Sequence, residues 1–140
     1  MSRFLDKLRF QVEPKKKTCI VLTDRLRYID RKRRLFTVPE GFRSDLASVP
    51  KIFRSLATNW NESARAGVLH DCMYRWAEVW KIPRRESDKI YRRALMDDGV
   101  PGWRAWLQYV ALRIGASDSW HDWRGTHAKN KGIRPKMFRL

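Results

Sequence analysis

An apolar stripe at helical spacing, within residues 66–77, is the feature that most constrains the fold of this chain. Six side chains recur at three- and four-residue intervals, as on a buried helix face: Val68, Leu69, Cys72, Met73, Trp76 and Ala77. The sequence places His70 and Asp71 beside this stripe, with Tyr74 one turn after the histidine. Because an unpaired polar group inside a protein costs free energy, these side chains must be hydrogen-bonded or bind a ligand. The stripe therefore predicts a core helix that carries a polar site.

The first third of the chain predicts antiparallel β-structure. Residues 8–12 alternate apolar and polar side chains, and residues 18–23 form a compact β-branched run that suits a central strand. After a basic turn at residues 30–34, residues 35–38 are the expected hairpin partner of residues 26–29. We expect these segments to form a small antiparallel meander.

Two helices are expected in the middle of the chain. Ser48 is placed to cap a short helix that begins near Pro50, since proline is favoured in a first helical turn. The helix with the apolar stripe is expected to start with Asn61 as its N-cap and to end near Trp80.

Two further helices are predicted over residues 84–98 and 103–115, bounded by proline and glycine. The second of these is interpreted as a core helix, with a buried face formed by Trp106, Leu107, Val110, Ala111 and Ile114.

Strands followed by helices indicate an α+β fold, in which a small antiparallel meander packs against three to four helices. A chain of 140 residues is large enough for one core, so we expect a single domain over residues 1–117. Residues 118–140 mix aromatic and basic side chains with little periodicity, which predicts an extended arm that orders on a partner or on the body of the protein. The residues expected to bind a partner are Trp120, Trp123, Arg124 and Phe138.

Charge is the outlying property of the composition. Thirty-one Lys and Arg residues against 15 Asp and Glu give a net charge of +16. Such a surface attracts nucleic acid, anionic polymers or lipid head groups of the cell envelope, or an acidic protein, and charge alone does not choose among them. Two well-separated cysteines predict small core residues in a reducing cytoplasm rather than a disulfide framework. We expect no signal peptide and no membrane span.

The residues around the apolar stripe have a defined geometry if the segment is helical. His70 and Tyr74 then share a face, whereas Asp71 points about 100° away from His70 and pairs with Arg75.

Three interpretations of this polar site stay open. Asp45, Asp71 and Asp88 can act as ligands of a divalent metal ion. Alternatively, His70 can act as a general base on water, with its tautomer fixed by a carboxylate or by the Tyr74 hydroxyl. In the third interpretation, His70, Asp71 and Asp45 form a hydrogen-bonded polar knot that ties the loop to the helix.

Four segments together resemble one known family. They are L-T-D-R-L-R-Y at residues 22–28, T-V-P-E-G-F-R-S-D-L-A-S-V-P at residues 37–50, V-L-H-D-C-M-Y at residues 68–74 and R-R-E-S-D at residues 84–88. The resemblance is to the phage-associated family called domain of unknown function 1353, and it covers about residues 20–115. Its members occur in phage and prophage genomes, often among tail and other late genes, without a firmly assigned activity. The resemblance implies that one site contains Asp45, Ser48, His70, Asp71, Tyr74 and Asp88.

Residues 70–74 are also similar to the H-D-x-C-Y helix of secretory phospholipases, in which the histidine activates water and the aspartate binds calcium. Here the cysteine lies one position early, and the Gly-rich calcium loop and the many disulfides are absent. This likeness is local, and we interpret it as a coincidence or a distant mechanistic analogy.

We therefore expect a phage-encoded, tail- or virion-associated protein with a His-Asp pocket, for which a divalent metal is a candidate ligand. Its basic surface and its arm would dock to other phage structural proteins, with several copies in a symmetric assembly. It would be present in the host cytoplasm during assembly and then in the virion. Two alternatives stay open: a metal-dependent hydrolase of the bacterial envelope in which His70 activates water, and a DNA-binding accessory protein. Whether the chain is an enzyme is left open.

Overall fold

A computed structural model of the protein describes residues 1–45, 60–115 and 132–140. In these segments an N-terminal set of strands is followed by helices and a last strand, and this order confirms the predicted α+β fold. The elements are β1 (Arg3–Phe4), β2 (Phe10–Glu13), β3 (Lys16–Leu22), β4 (Leu26–Ile29), β5 (Arg34–Val38), β6 (Arg43–Asp45), α1 (Trp60–Arg75), α2 (Ala77–Trp80), α3 (Arg84–Asp97), α4 (Gly102–Gly115) and β7 (Lys136–Arg139). The short helix predicted near Pro50, with Ser48 as its cap, lies outside the described residues.

The strands are antiparallel and form two sheets, with the orders β1-β4-β5-β7 and β2-β3-β6. The prediction that residues 18–23 supply a central strand is confirmed, since β3 lies between β2 and β6. The β4–β5 hairpin is also confirmed, with Tyr28 opposite Phe36. The strands do not form one continuous meander, because β3 pairs with β2 and β6 and leaves β4 and β5 to a separate sheet.

The basic turn between β4 and β5 is organised by Asp30. Its carboxylate accepts hydrogen bonds of 2.8 Å from the backbone N–H and the Nε of Arg34. Arg33 adopts a positive φ of 61°, in the left-handed region that such tight turns use. The exposed side chains of Arg31 and Lys32 are thereby presented at the tip of the hairpin.

The predicted stripe is the centre of the core. Val68, Cys72 and Met73 are fully buried, and the polar residues of the same helix, His70 and Asp71, are buried as well. Aromatic rings of the strands and of the loop before β6 complete the packing, with Phe36 against Trp80 and Phe42 against Trp76. Cys19 and Cys72 are both buried thiols, as their sequence context predicted.

The predicted ends of the stripe helix were wrong in two respects. Asn61 is not its N-cap, because the backbone is already helical at Trp60. The helix does not run to Trp80 without interruption either. It ends at Arg75, and after Trp76, which has a non-helical ψ of 16°, the chain makes the separate four-residue helix α2.

The predicted buried face of α4 was also wrong in part. Trp106 and Ile114 are 49% and 74% exposed, whereas the residues that α4 buries are Ala105, Gln108, Ala111 and Leu112. Helix α4 packs against α3, and the face that it buries there contains two alanines, one glutamine and one leucine. None of the described helices is long and apolar enough to cross a membrane.

The end of the chain belongs to the larger sheet. Strand β7 pairs with β5, placing Phe138 opposite Leu35, and the side chains of Ile133 and Met137 pack against the core. In residues 132–140 the predicted arm is therefore ordered on the body of the protein. Phe138 remains 53% exposed. The other residues expected to bind a partner lie outside the described segments: Trp120, Trp123 and Arg124.

Candidate functional site

The carboxylate of Asp88, which is fully buried, is the centre of the candidate site. Helices α1 and α3 pack side by side and bring two α1 side chains, four residues apart, onto this carboxylate. Nε2 of His70 lies 2.8 Å from Asp88 Oδ1, and the Tyr74 hydroxyl donates a 2.5 Å hydrogen bond to the same oxygen. His70 and Tyr74 share a helix face as predicted, with ring centroids 4.1 Å apart.

The second oxygen of Asp88 faces two arginines. Arg113 of α4 donates from Nη1 to Oδ2 over 3.0 Å, and Nε of Arg84 lies 3.9 Å from Oδ2. Arg84 also donates to the backbone carbonyl oxygens of Leu112 and Arg113, near the C-terminal end of α4. The carboxylate is thus held by side chains from three helices. Arg113, whose side chain is 34% exposed, connects it to the surface.

These contacts determine the protonation state of Asp88. Burial raises the pKa of a carboxyl group, but the hydrogen bonds from His70, Tyr74 and Arg113 outweigh burial and hold the pKa of Asp88 below its usual 3.8. Asp88 is therefore a carboxylate at neutral pH, and Nε2 of His70 must be the N–H donor of the pair. In a neutral imidazole, Nδ1 is then the nitrogen that can accept a proton.

Asp71 has a separate partner on its own helix. The Nε of Arg75 donates to Asp71 Oδ1 over 2.9 Å, as the four-residue spacing predicted. Burial raises the pKa of Asp71 above its usual value, against the opposing effects of Arg75, Ser44 and His70. Asp71 and Asp88 thus flank His70 in different ways. One is its neighbour in sequence and bonds to Arg75, and the other is its hydrogen-bond partner.

The predicted metal ligands are only partly within the described residues. Asp45 places its backbone in β6, opposite Cys19, whereas its side chain and all of Ser48 lie outside what the structure describes. Among the described side chains, no group of three or more His, Cys, Asp or Glu residues is arranged to hold a metal ion. Metal binding by Asp45, Asp71 and Asp88 stays a prediction.

Several residues of the site were not predicted as such. Arg113 comes from a helix 25 residues further along the chain, so no local spacing indicates its contact with Asp88. Tyr91 of α3 was not among the predicted site residues, and its ring lies 4.9 Å from that of His70. Its hydroxyl donates a 2.8 Å hydrogen bond to Oε1 of Gln108, which is also buried. Gln108 lies three residues after Ala105 and three before Ala111, and this spacing on one helix face is the signal that could have indicated its burial.

A protein-family model described as "Protein of unknown function (DUF1353)" matches residues 20–112. The chain belongs to this family. The DUF1353 segment contains His70, Asp71, Tyr74 and Asp88, whereas β1, β2, β7 and Arg113 lie outside it. No curated protein and no solved structure was found to match the chain.

Proposed function

We propose that this DUF1353 protein is a hydrolase in which His70 is the general base. The observation that carries the proposal is the buried Asp88 carboxylate, which accepts from Nε2 of His70 over 2.8 Å and is further held by Tyr74 and Arg113. A fixed carboxylate of this kind sets the tautomer of a histidine and stabilises the imidazolium that forms when the ring takes a proton.

The reaction follows from the two ring nitrogens. Nδ1 of His70 takes a proton from a water molecule while the water oxygen forms a bond to the carbonyl carbon of an ester or amide. The imidazolium, balanced by Asp88, then returns the proton to the leaving group as the original bond breaks.

The proposed substrates are ester or amide bonds of the bacterial envelope. The net charge of +16 favours association with the anionic polymers and lipid head groups found there. In this mechanism Asp71 is paired with Arg75 within α1 and takes no part in the proton transfer, which needs His70 and Asp88.

The test compares His70→Gln and Asp88→Asn with the unchanged protein on purified bacterial envelopes, by following release of soluble fragments and fatty acids. Loss of the general base should reduce the rate by about 100-fold or more. The matched control is His127→Gln, the same chemical change outside the described residues, which should retain activity. Equal activity in folded His70→Gln would contradict the proposal.

A second variant covers the case in which His70→Gln does not fold. His70→Ala leaves a space next to Asp88, and added imidazole should restore part of the activity if His70 is a base. Rescue by imidazole separates the catalytic role from a polar knot, because a structural role would not give imidazole-dependent turnover. Failure of rescue in a folded His70→Ala protein would favour the polar knot.

A second candidate function is that of a tail- or virion-associated phage protein, and we propose it on the same excess of positive charge, which suits docking to acidic partner proteins. The phage context comes from the sequence resemblance. Mass spectrometry should find the chain in the host cytoplasm during assembly. It should then find the chain in purified virions at stoichiometric levels. Its absence from particles would remove this candidate and leave the enzymatic proposal untouched.

A further inference from the structure

A basic cleft of about 460 Å³ lies between the β4–β5 turn and the N-terminal half of α3. Residues 30–34 form one wall, and residues 83–93 contribute the other. It is lined by a different face of α3 from the one that carries Asp88, so it is separate from the candidate site around His70. We call it the α3 cleft.

The α3 cleft carries six cationic side chains against the two carboxylates of Asp30 and Glu86; the cations are Arg31, Lys32, Arg34, Arg85, Lys89 and Arg93. The two carboxylates form ion pairs with only some of the cations. Nη2 of Arg34 lies 2.6 Å from Asp30 and 2.9 Å from Glu86, and Nζ of Lys32 lies 2.5 Å from Glu86. Hydrogen bonds from Lys32, together with Arg34, hold the pKa of Glu86 below its usual value. These pairs fix the wall of the cleft in place.

Arg93 pairs with Asp97, whose Oδ1 lies 3.1 Å from its Nε, so three of the six cations have no partner among these carboxylates. Arg31, Arg85 and Lys89 are exposed, and none of them has an ion-pair partner within residues 1–45, 60–115 and 132–140. Arg85 and Lys89 are four residues apart on one helix, so they project in the same direction from α3 toward the space that Arg31 borders from the hairpin. Like charges that line one cleft repel each other, and an anion between them relieves that repulsion.

The floor of the α3 cleft is apolar. It is formed in part by Ile90, by Pro83 and by Tyr28, whose hydroxyl already donates to Asp97 over 2.8 Å. A simple inorganic anion would leave this floor without a partner, whereas a ligand with an organic part would cover it. The volume falls in the usual range for sites that bind small molecules.

We propose that the α3 cleft binds an organic phosphate. Arg31, Arg85 and Lys89 contact the phosphate oxygens, because guanidinium forks and ammonium groups are the side chains that recognise phosphate. The N-terminus of α3, with Pro83 as its N-cap and Arg85 in its first turn, adds the positive end of the helix dipole to the same wall. The organic part lies against Ile90 and Pro83. The phosphate group is shared by soluble nucleotides and by phospholipid head groups, and the experiment distinguishes these two sources.

The test uses isothermal titration of the full chain with ADP and with pyrophosphate, and flotation with phosphatidylglycerol vesicles against phosphatidylcholine vesicles. The test variant is Arg31→Ala/Arg85→Ala/Lys89→Ala. The matched control is Lys7→Ala/Arg9→Ala/Arg25→Ala, which removes the same charge from exposed positions that do not line the cleft. The test variant should bind the phosphate ligand at least about tenfold more weakly, because it loses three charge-assisted contacts to the phosphate oxygens. The affinity of the control variant should stay close to that of the unchanged protein.

Each outcome decides the matter. Binding to ADP assigns the cleft to a soluble ligand, and binding to the phosphatidylglycerol vesicles alone assigns it to a head group, provided that the cleft variant loses it. Equal loss in both triple variants shows that net charge and not the cleft is responsible, and overturns the proposal. Binding to duplex DNA without binding to ADP or vesicles overturns it as well. None of these results depends on hydrolysis by His70.

Discussion

At the scale of single residues, the pKa values of the two buried aspartates, Asp71 and Asp88, shift in opposite directions. Burial raises the pKa of Asp71 despite its contact with Arg75. Burial has the same effect on Asp88, but there the donors from His70, Tyr74 and Arg113 outweigh it and lower the pKa. The difference follows from how much of the desolvation cost is compensated: the effects of Arg75, Ser44 and His70 do not offset it at Asp71, whereas the donors to Asp88 do.

The lowered pKa of Asp88 has a defined effect on stability. Its contribution is present above the unfolded-state value of 3.8 and is lost as the pH falls through the lower, folded-state value. The free energy of unfolding of the unchanged protein should therefore exceed that of Asp88→Asn at neutral pH, and the difference should shrink below about pH 4. Urea unfolding at a series of pH values measures this difference.

The control for this titration is Glu40→Gln, which removes one negative charge from an exposed position. The contribution of Asp71 to stability depends on pH in the opposite direction. Its raised pKa makes its contribution largest below 3.8 and smaller as the pH rises to the folded-state value. A difference between the unchanged protein and Asp88→Asn that grows on acidification would contradict the assignment of Asp88 as the ionised partner of His70.

Contacts between residues close together in sequence could be predicted from their spacing, whereas contacts between residues far apart in sequence could not. The shared face of His70 and Tyr74 and the pairing of Asp71 with Arg75 follow from helical spacing within one element. The contact of Arg113 with Asp88 depends on how α4 packs on α3, and no spacing within either helix encodes it. The family resemblance placed Asp88 with His70, and the distance of 2.8 Å confirms that they meet.

At the scale of elements, the pattern of apolar residues predicted which helices exist better than which face each one buries. Helix α4 was expected to bury Trp106 and Ile114, yet both are largely exposed. The pattern gives a face only when one side of a helix is clearly more apolar than the rest, and α4 has large apolar residues on several sides. The helix that it packs against decided the outcome, and that neighbour is not visible in the local sequence.

The buried pair of Asp71 and Arg75 joins successive turns of α1, and it gives a prediction at this scale. Removal of Asp71 takes a carboxylate acceptor away from the buried guanidinium of Arg75, so Asp71→Ala should lower the free energy of unfolding by about 3 kcal/mol. The double variant Asp71→Ala/Arg75→Met should lose much less than the sum of the two single variants. Urea unfolding of all four proteins in a double-mutant cycle measures the coupling. Additive losses would mean that the two charges act independently.

At the scale of the whole molecule, the larger sheet joins segments from both ends of the sequence. Its edges are β1 and β7, and its centre is the β4–β5 hairpin. The hairpin was predictable, since its strands are neighbours in sequence and are joined by a basic turn. The pairing of β7 with β5 was not, because about 100 residues separate the two strands and little in residues 136–139 resembles a buried strand.

Removal of residues 136–140 tests the contribution of β7. The shortened protein loses the pairing with β5 and the packing of Met137, so we expect the melting temperature to fall by about 5 °C. The control is Phe138→Ala, which keeps the backbone pairing and changes a side chain that is half exposed. Thermal unfolding followed by circular dichroism measures both. An unchanged melting temperature in the shortened protein would show that β7 adds nothing to the sheet.

The position of β7 also bears on how the protein is made. During translation β5 leaves the ribosome about 100 residues before β7. Until β7 is made, the edge of β5 that faces away from β4 lacks the backbone hydrogen bonds that β7 provides. During that interval the nascent chain presents a strand edge to which another nascent chain can pair. Closure of the four-stranded sheet therefore requires β7, and pauses in translation between β5 and β7 should lengthen the period of exposure to aggregation.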